Sequence, residues 1–243
     1  MKEGGLEKHG FVHSSLLHLI PGFIKGMAFF AFIPVVEGFG YPNVLALFLA
    51  NISVVIPLLT VFFLMERRRT GSHSVADLIH YRERMPLWRY VIWVPAVLLA
   101  SIILFSLLQP VSNYLELQMT WFPDAFKLDF GMDGRYPKDV LIVTLAIGIV
   151  GLFVGPVWEE IYFRGYLLPR MPDLHGCAPI VHSGLFAIYH IWSPWHIVTR
   201  LIAVLPLIYA VRINRSVLTG ISAHILLNAL DYVVLAIFIS GSA

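Results

Sequence analysis

The chain has 243 residues, 58% of them hydrophobic and 13% charged, with a formal net charge of +2 and a mean hydropathy of +0.77. Soluble domains are about 45–50% apolar and about 25% charged, so this composition excludes an ordinary soluble domain, and the near-neutral balance gives no basic surface for nucleic acid. The single cysteine, Cys177, excludes an internal disulfide and a multi-cysteine metal site, and reads as a small packing residue.

In chain order, the lead "MKEGGLEKHG" is short and polar, without the compact apolar core and small-residue cleavage site of a secretory signal. His13 to Val36 is apolar but interrupted by Pro21, Lys25 and Pro34, so it reads either as a tilted span or as an interfacial helix. Uncharged runs follow at Gly38 to Met65, Tyr90 to Leu115, Val140 to Trp158 and Leu174 to Thr199, near or above the length of about 20 residues that crosses a bilayer. Leu201 to Val211 is short, and Ser216 to Ile239 carries Asp231. Continuous apolar runs lack the alternation of barrel strands, and a lipid-facing backbone must satisfy its own hydrogen bonds. The expected fold is therefore all-α: a polytopic bundle of six to eight transmembrane helices forming a single domain over residues 1–243. Residues 1–137 hold the N-terminal helices and a polar external loop, and residues 138–235 hold nearly every group able to do chemistry.

Charge placement orients the bundle. Arg67, Arg68, Arg69, Arg82, Arg84 and Arg89 crowd one connection, which the positive-inside rule places in the cytoplasm. Counting spans puts Arg164, Arg170, Arg212, Arg215, Lys2 and Lys8 on that side, and Lys127, Arg135, Lys138 and Arg200 on the other. The count requires His13 to Val36 to span.

From Val140 onward the only acidic residues are Glu159, Glu160, Asp173 and Asp231. Ionisable groups in or beside a span are costly and mark pathways or reaction centres. In "GPVWEEIYFRGYLLPR", Glu160 and Arg164 are four apart and stack as an ion pair. Glu159 is turned about 100° away and is left free to act as a base. Taken alone, the two acids fit a solvated helix end better than a reaction centre. "FAIYHIW" sets Phe186 and His190 four apart on one helix face; "HILLNALD" sets His224, Asn228 and Asp231 in one stripe. Bonding to one another across helices explains one such stripe, but explains less well three helices that each offer groups suited to hydrolysis. Asp231 is one group able to orient His224. His175, His182 and His196 read as packing or interfacial residues, and Trp192 and Trp195 beside Pro194 as an interfacial belt and turn.

"EEIYFR", "FAIYH" and "HILLN" fit E-E-x-x-x-R, F-x-x-x-H and H-x-x-x-N in the order found in the CAAX protease and bacteriocin-processing family, whose members include the type II CAAX prenyl endopeptidases. Over about residues 138–235 the chain resembles that family. The resemblance implies an intramembrane endopeptidase of the glutamate type, built around a conical cavity. Glu159 and His190 would activate water, His224 and Asn228 would stabilise the oxyanion, and Glu160 and Arg164 would support them. No cofactor is expected. A zinc version using Glu159 or Glu160 with His190 and His224 stays open, but no H-E-x-x-H occurs and the histidines come from separate helices. The expected partners are the lipid bilayer and a membrane-proximal or prenylated peptide, reached through a cavity opening to the cytoplasm. A non-catalytic membrane scaffold or bacteriocin-immunity protein of the same fold is the alternative.

Overall fold

The computed structural model describes residues 6–172 and 174–241, with the side chain of Leu152 also outside the description; Lys2 and Asp173 lie outside the described residues. Eight helices account for the architecture: α1 Phe11–Gly38, α2 Val44–Thr70, α3 Leu87–Gln118, α4 Lys138–Arg170, α5 Ala178–Tyr189, α6 Pro194–Ala203, α7 Leu205–Asn214 and α8 Val217–Gly241. No strand occurs among the described residues; the one bridge joins Arg82 and Ser216. Five helices, α1, α2, α3, α4 and α8, are long and apolar enough to cross a membrane, and α6 with α7, bent by 40° at their junction, make a sixth apolar unit.

The helix ends sort onto two faces, and backbone hydrogen bonds tie each together. On the arginine-rich face His9 N–H donates to Arg170 O at 2.8 Å, Glu83 N–H to Arg215 O at 2.9 Å and Val217 N–H to Tyr81 O at 2.7 Å. On the opposite face Val44 N–H donates to Asp129 O at 3.1 Å, and Asn43 Nδ2 to Lys127 O at 2.7 Å. Lys127 is ion-paired there with Asp124 and Glu116, and these two acids hold its ammonium charged above the usual lysine range. Lipid-facing positions stay apolar, as at Val91, Leu99 and Leu107 of α3.

Four of the sequence expectations are resolved or changed. His13 to Val36 lies within α1, a 28-residue helix that contains both Pro21 and Pro34, so length permits a full crossing. The run from Leu174 to Thr199 is no single span. Its helix, α5, is 12 residues long and ends at Tyr189; His190 takes φ −87° and ψ 55°, outside helical geometry, and Pro194 opens the next helical turn. At about 1.5 Å per residue α5 rises about 18 Å, half a membrane, and the backbone after it is tolerated because protein encloses it. Trp192 and Trp195 accordingly are not an interfacial belt but are 3% and 6% exposed inside the bundle. Cys177, in turn, is exposed rather than packed.

Helix α1 runs against the bundle interior. Gly22 and Gly26 make this possible, since a Cβ on Gly22 would overlap the Tyr189 backbone carbonyl and one on Gly26 the Ile191 side chain. Tyr162 of α4 donates its hydroxyl to Leu17 O at 2.7 Å. The main core gathers Phe29, Ile33, Phe63, Phe163 and Tyr189 around this junction.

Candidate active site

Glu159 and Glu160 lie well inside α4 and not at its end, about 16 Å of helix from Arg170. The charge-free run stops at Trp158, but the backbone does not: Ile161–Leu167 forms a wide π turn and helix resumes to Arg170. Such turns recur at functional sites because they re-aim side chains within a helix.

Glu159 is 5% exposed and is not unpaired, as its place on the helix suggested. Lys25 of α1 donates from Nζ to its Oε1 at 3.0 Å, and the Tyr189 hydroxyl donates to the same oxygen at 2.9 Å. Lys25 is itself buried, its ammonium 4.6 Å from the centre of the Trp192 ring, a cation–π distance. With Oε1 occupied twice, Oε2 has no hydrogen-bond donor among the described residues and is the oxygen left for a ligand. Lys25 escapes the motif search because it lies far upstream, where it reads as an interruption in a weak span. The available signal was a lone cation within an apolar helix, which needs a buried anion somewhere in the bundle.

Glu160 is fully buried. Its Oε1 accepts from His224 Nδ1 at 2.9 Å and contacts Arg164 Nη1 at 3.0 Å, so the ion pair inferred from the i, i+4 spacing is present. The Arg164 guanidinium sits 3.9 Å from the centre of the Phe186 ring, which gives the phenylalanine of "FAIYH" a physical task. Gly220 of α8 is a further participant without a motif: a Cβ there would press on Glu160 Oε2. His224 is therefore oriented by Glu160 and not by Asp231, which is exposed on α8 without a hydrogen bond or ion pair among the described residues.

His190 stands at the C-terminal end of α5 instead of on its face. Its Nδ1–H donates to Phe186 O at 2.8 Å, which leaves the Nε2 lone pair for a ligand. Asn228, one turn beyond His224 on α8, makes no hydrogen bond within the described chain.

These groups share one cavity of about 490 Å³, lined by Glu159, His190, His224 and Asn228 together with Lys25 and Arg164. The depths agree: measured along the helices from the arginine-rich face, Glu159, His190 and Asn228 all lie about 16–18 Å in. Toward the opposite face the wall reaches Val44, Leu128 and Phe130; Arg200 also lines it, instead of lying at that face as span counting implied. His182 is packed as expected, its Nδ1 2.8 Å from His18 Nε2. Among the described residues no three His, Cys, Asp or Glu side chains gather as a metal site.

Residues 141–230 match the family model described as type II CAAX prenyl endopeptidase Rce1-like. Neither the curated proteins nor the solved structures contain a significant match to the chain. The matched segment covers α4 from Leu141 through α8 to Leu230 and includes all seven residues fixed by the motifs, whereas Lys25 lies outside it. The segment that builds most of the cavity, residues 141–230, is thus similar to the type II CAAX prenyl endopeptidase Rce1-like family.

Proposed function

We propose that the chain is an intramembrane endopeptidase that hydrolyses a peptide bond near the membrane, in the C-terminal tail of a lipid-bearing protein, with water activated by Glu159 and His190. The observation that carries this reading is the convergence of Glu159, His190, His224 and Asn228 on one cavity at a common depth. Lys25 and Tyr189 restrain Glu159 through Oε1, so Oε2 is the oxygen that accepts a proton from water. His190, with Nδ1 committed to Phe186 O, offers Nε2 as the second acceptor on the attacking side. As the carbonyl oxygen gains charge, Asn228 Nδ2 and His224 Nε2 donate to it. A ring that donates from Nδ1 to Glu160 and from Nε2 to the substrate is the imidazolium. Arg164 and Phe186 hold Glu160 in place. Preorganised donors of this kind are usually the largest single term in such catalysis.

No step in this scheme calls on a metal. We assign the arginine-rich face to the cytoplasm on charge placement. Substrate would then enter from that side.

One observation favours a non-catalytic scaffold instead: Glu159 is already satisfied by a lysine and a tyrosine. Purified protein in detergent, given a farnesylated C-terminal tetrapeptide and bacteriocin-like leader peptides with product mapping by mass spectrometry, separates the two. Cleavage abolished in Glu159→Ala and unaffected by phenanthroline supports the peptidase. Equal cleavage by Glu159→Ala and the parent sinks the assigned base, and inhibition reversed by zinc sinks the metal-free scheme.

A further inference from the structure

Of the charged groups lining the cavity, Lys25 is matched by Glu159 and Arg164 by Glu160. Arg200 is not. Its only hydrogen bond among the described residues runs from Nη2 to Ser193 Oγ at 3.1 Å, no carboxylate is ion-paired with it, and Nη1 is enclosed without a partner. A guanidinium has five N–H donors, and an unmatched cation within a membrane bundle is costly enough to mark a function.

The position of Arg200 is fixed. The neighbouring Thr199 exchanges a hydrogen bond of 2.6 Å with Ser112 of α3 and donates to Leu108 O at 3.2 Å, which anchors α6 against α3. The cavity wall carries Ile102 and Phe105 of α3, Ala203 of α6, Val204 at the bend and Leu207 of α7, with the hydroxyls of Ser101 and Ser106 of α3 between them. Asp231, the lining acid that lacks an ion pair, stands on α8. A ligand anion is drawn toward the α6 wall and repelled from Asp231.

A largely apolar stretch of wall beside an unpaired cation suits a chain of apolar groups that ends in one negative charge. A carboxylate matches the guanidinium fork in two parallel hydrogen bonds and neutralises it one for one; a phosphate dianion would bring surplus charge into the bilayer. Arg200 also lies about 20 Å of helix from the arginine-rich face. A cavity of about 490 Å³ takes a short segment of chain and not a folded partner.

We propose that Arg200 binds the free C-terminal carboxylate of the substrate peptide, making it the residue that selects chain ends with an apolar terminal side chain over amidated or internal sequence. The assignment rests on the peptidase reading for the word substrate, but not for the binding itself.

The test compares a fluorescent peptide with apolar C-terminal residues, as free acid and as C-terminal amide, by anisotropy against the full chain in detergent and in its Glu159→Gln form. The acid binds at least tenfold tighter than the amide. Arg200→Gln brings the ratio near one, and Arg200→Lys retains part of it. Equal binding of acid and amide to the unsubstituted chain overturns the proposal and needs no variant to fold. So does a phosphatidylglycerol nanodisc that displaces the acid and amide peptides alike. A clear acid preference without any cleavage sinks the peptidase reading and leaves the carboxylate site standing; equal cleavage of acid and amide does the reverse.

Discussion

Replacing Lys25 by methionine keeps most of the apolar stem and removes the ammonium. Glu159, 5% exposed, then retains only the Tyr189 hydroxyl on Oε1. Breaking a buried pair by deleting one partner costs about 3–5 kcal/mol because a charge is left uncompensated. The retained tyrosine bond and the open Oε2 side put the expected loss near the lower end, about 3 kcal/mol. For a chain of this size that corresponds to a fall in Tm of roughly 6–12 °C. Replacing both members, Lys25→Met with Glu159→Gln, leaves no buried charge, and such neutral exchanges are close to neutral in stability. The double variant therefore unfolds within about 1 kcal/mol of the parent. Tryptophan fluorescence on heating purified protein in one detergent reads all four corners of the cycle, including Glu159→Gln alone. If Lys25→Met unfolds with the parent, or if the double variant is no more stable than Lys25→Met, the ion pair does not hold α1 to α4 and the restraint assigned to Oε1 falls with it.

Asn228→Ala should lower kcat by about 10²–10³ with little change in KM, as the loss of one oxyanion donor does; an equal change in KM would make it a ground-state contact. The exposed Cys177 follows Arg170 on the arginine-rich face, so a membrane-impermeant maleimide should label it in inverted vesicles and not in intact cells. Labelling of intact cells would reverse the assigned orientation. His9, just outside α1, has its imidazole pushed down from the ordinary 6.5 to about 4, first by burial and then by the nearby His13 and Arg170, against Glu66 and Glu7. The unfolded chain thus binds a proton there that the folded chain refuses. The stability involved is complete above about pH 6.5 and is lost as pH falls from there toward 4, amounting to about 2–3 kcal/mol. His9→Gln should flatten the fall in Tm between pH 7 and 4.5, and an unchanged slope refutes the assignment.

Much of the bundle was legible because apolar length is set by bilayer thickness: α2, α3, α4 and α8 all grow from runs visible in the sequence. What charge-free runs cannot show is where a helix continues past a charge, as α4 does beyond Glu159, or stops without one, as α5 does at Tyr189. Local spacing could bring out the Glu160–Arg164 pair and the His224–Asn228 stripe, since helical periodicity determines both. Nothing local could bring out Lys25 against Glu159 or Glu160 against His224. Those contacts depend on interhelical approach, permitted by Gly22, Gly26 and Gly220, and a missing side chain leaves no mark in a pattern of side chains.

The counter-ion of Glu159 comes from a helix more than 100 residues upstream of the matched segment. A minimal fragment cut to residues 141–230 would carry every motif and still lack the ammonium that holds its principal carboxylate. Chimaeras that exchange α1 between relatives would exchange that ammonium as well, so the behaviour of the glutamate would follow the donor of the first helix and not the donor of the motif.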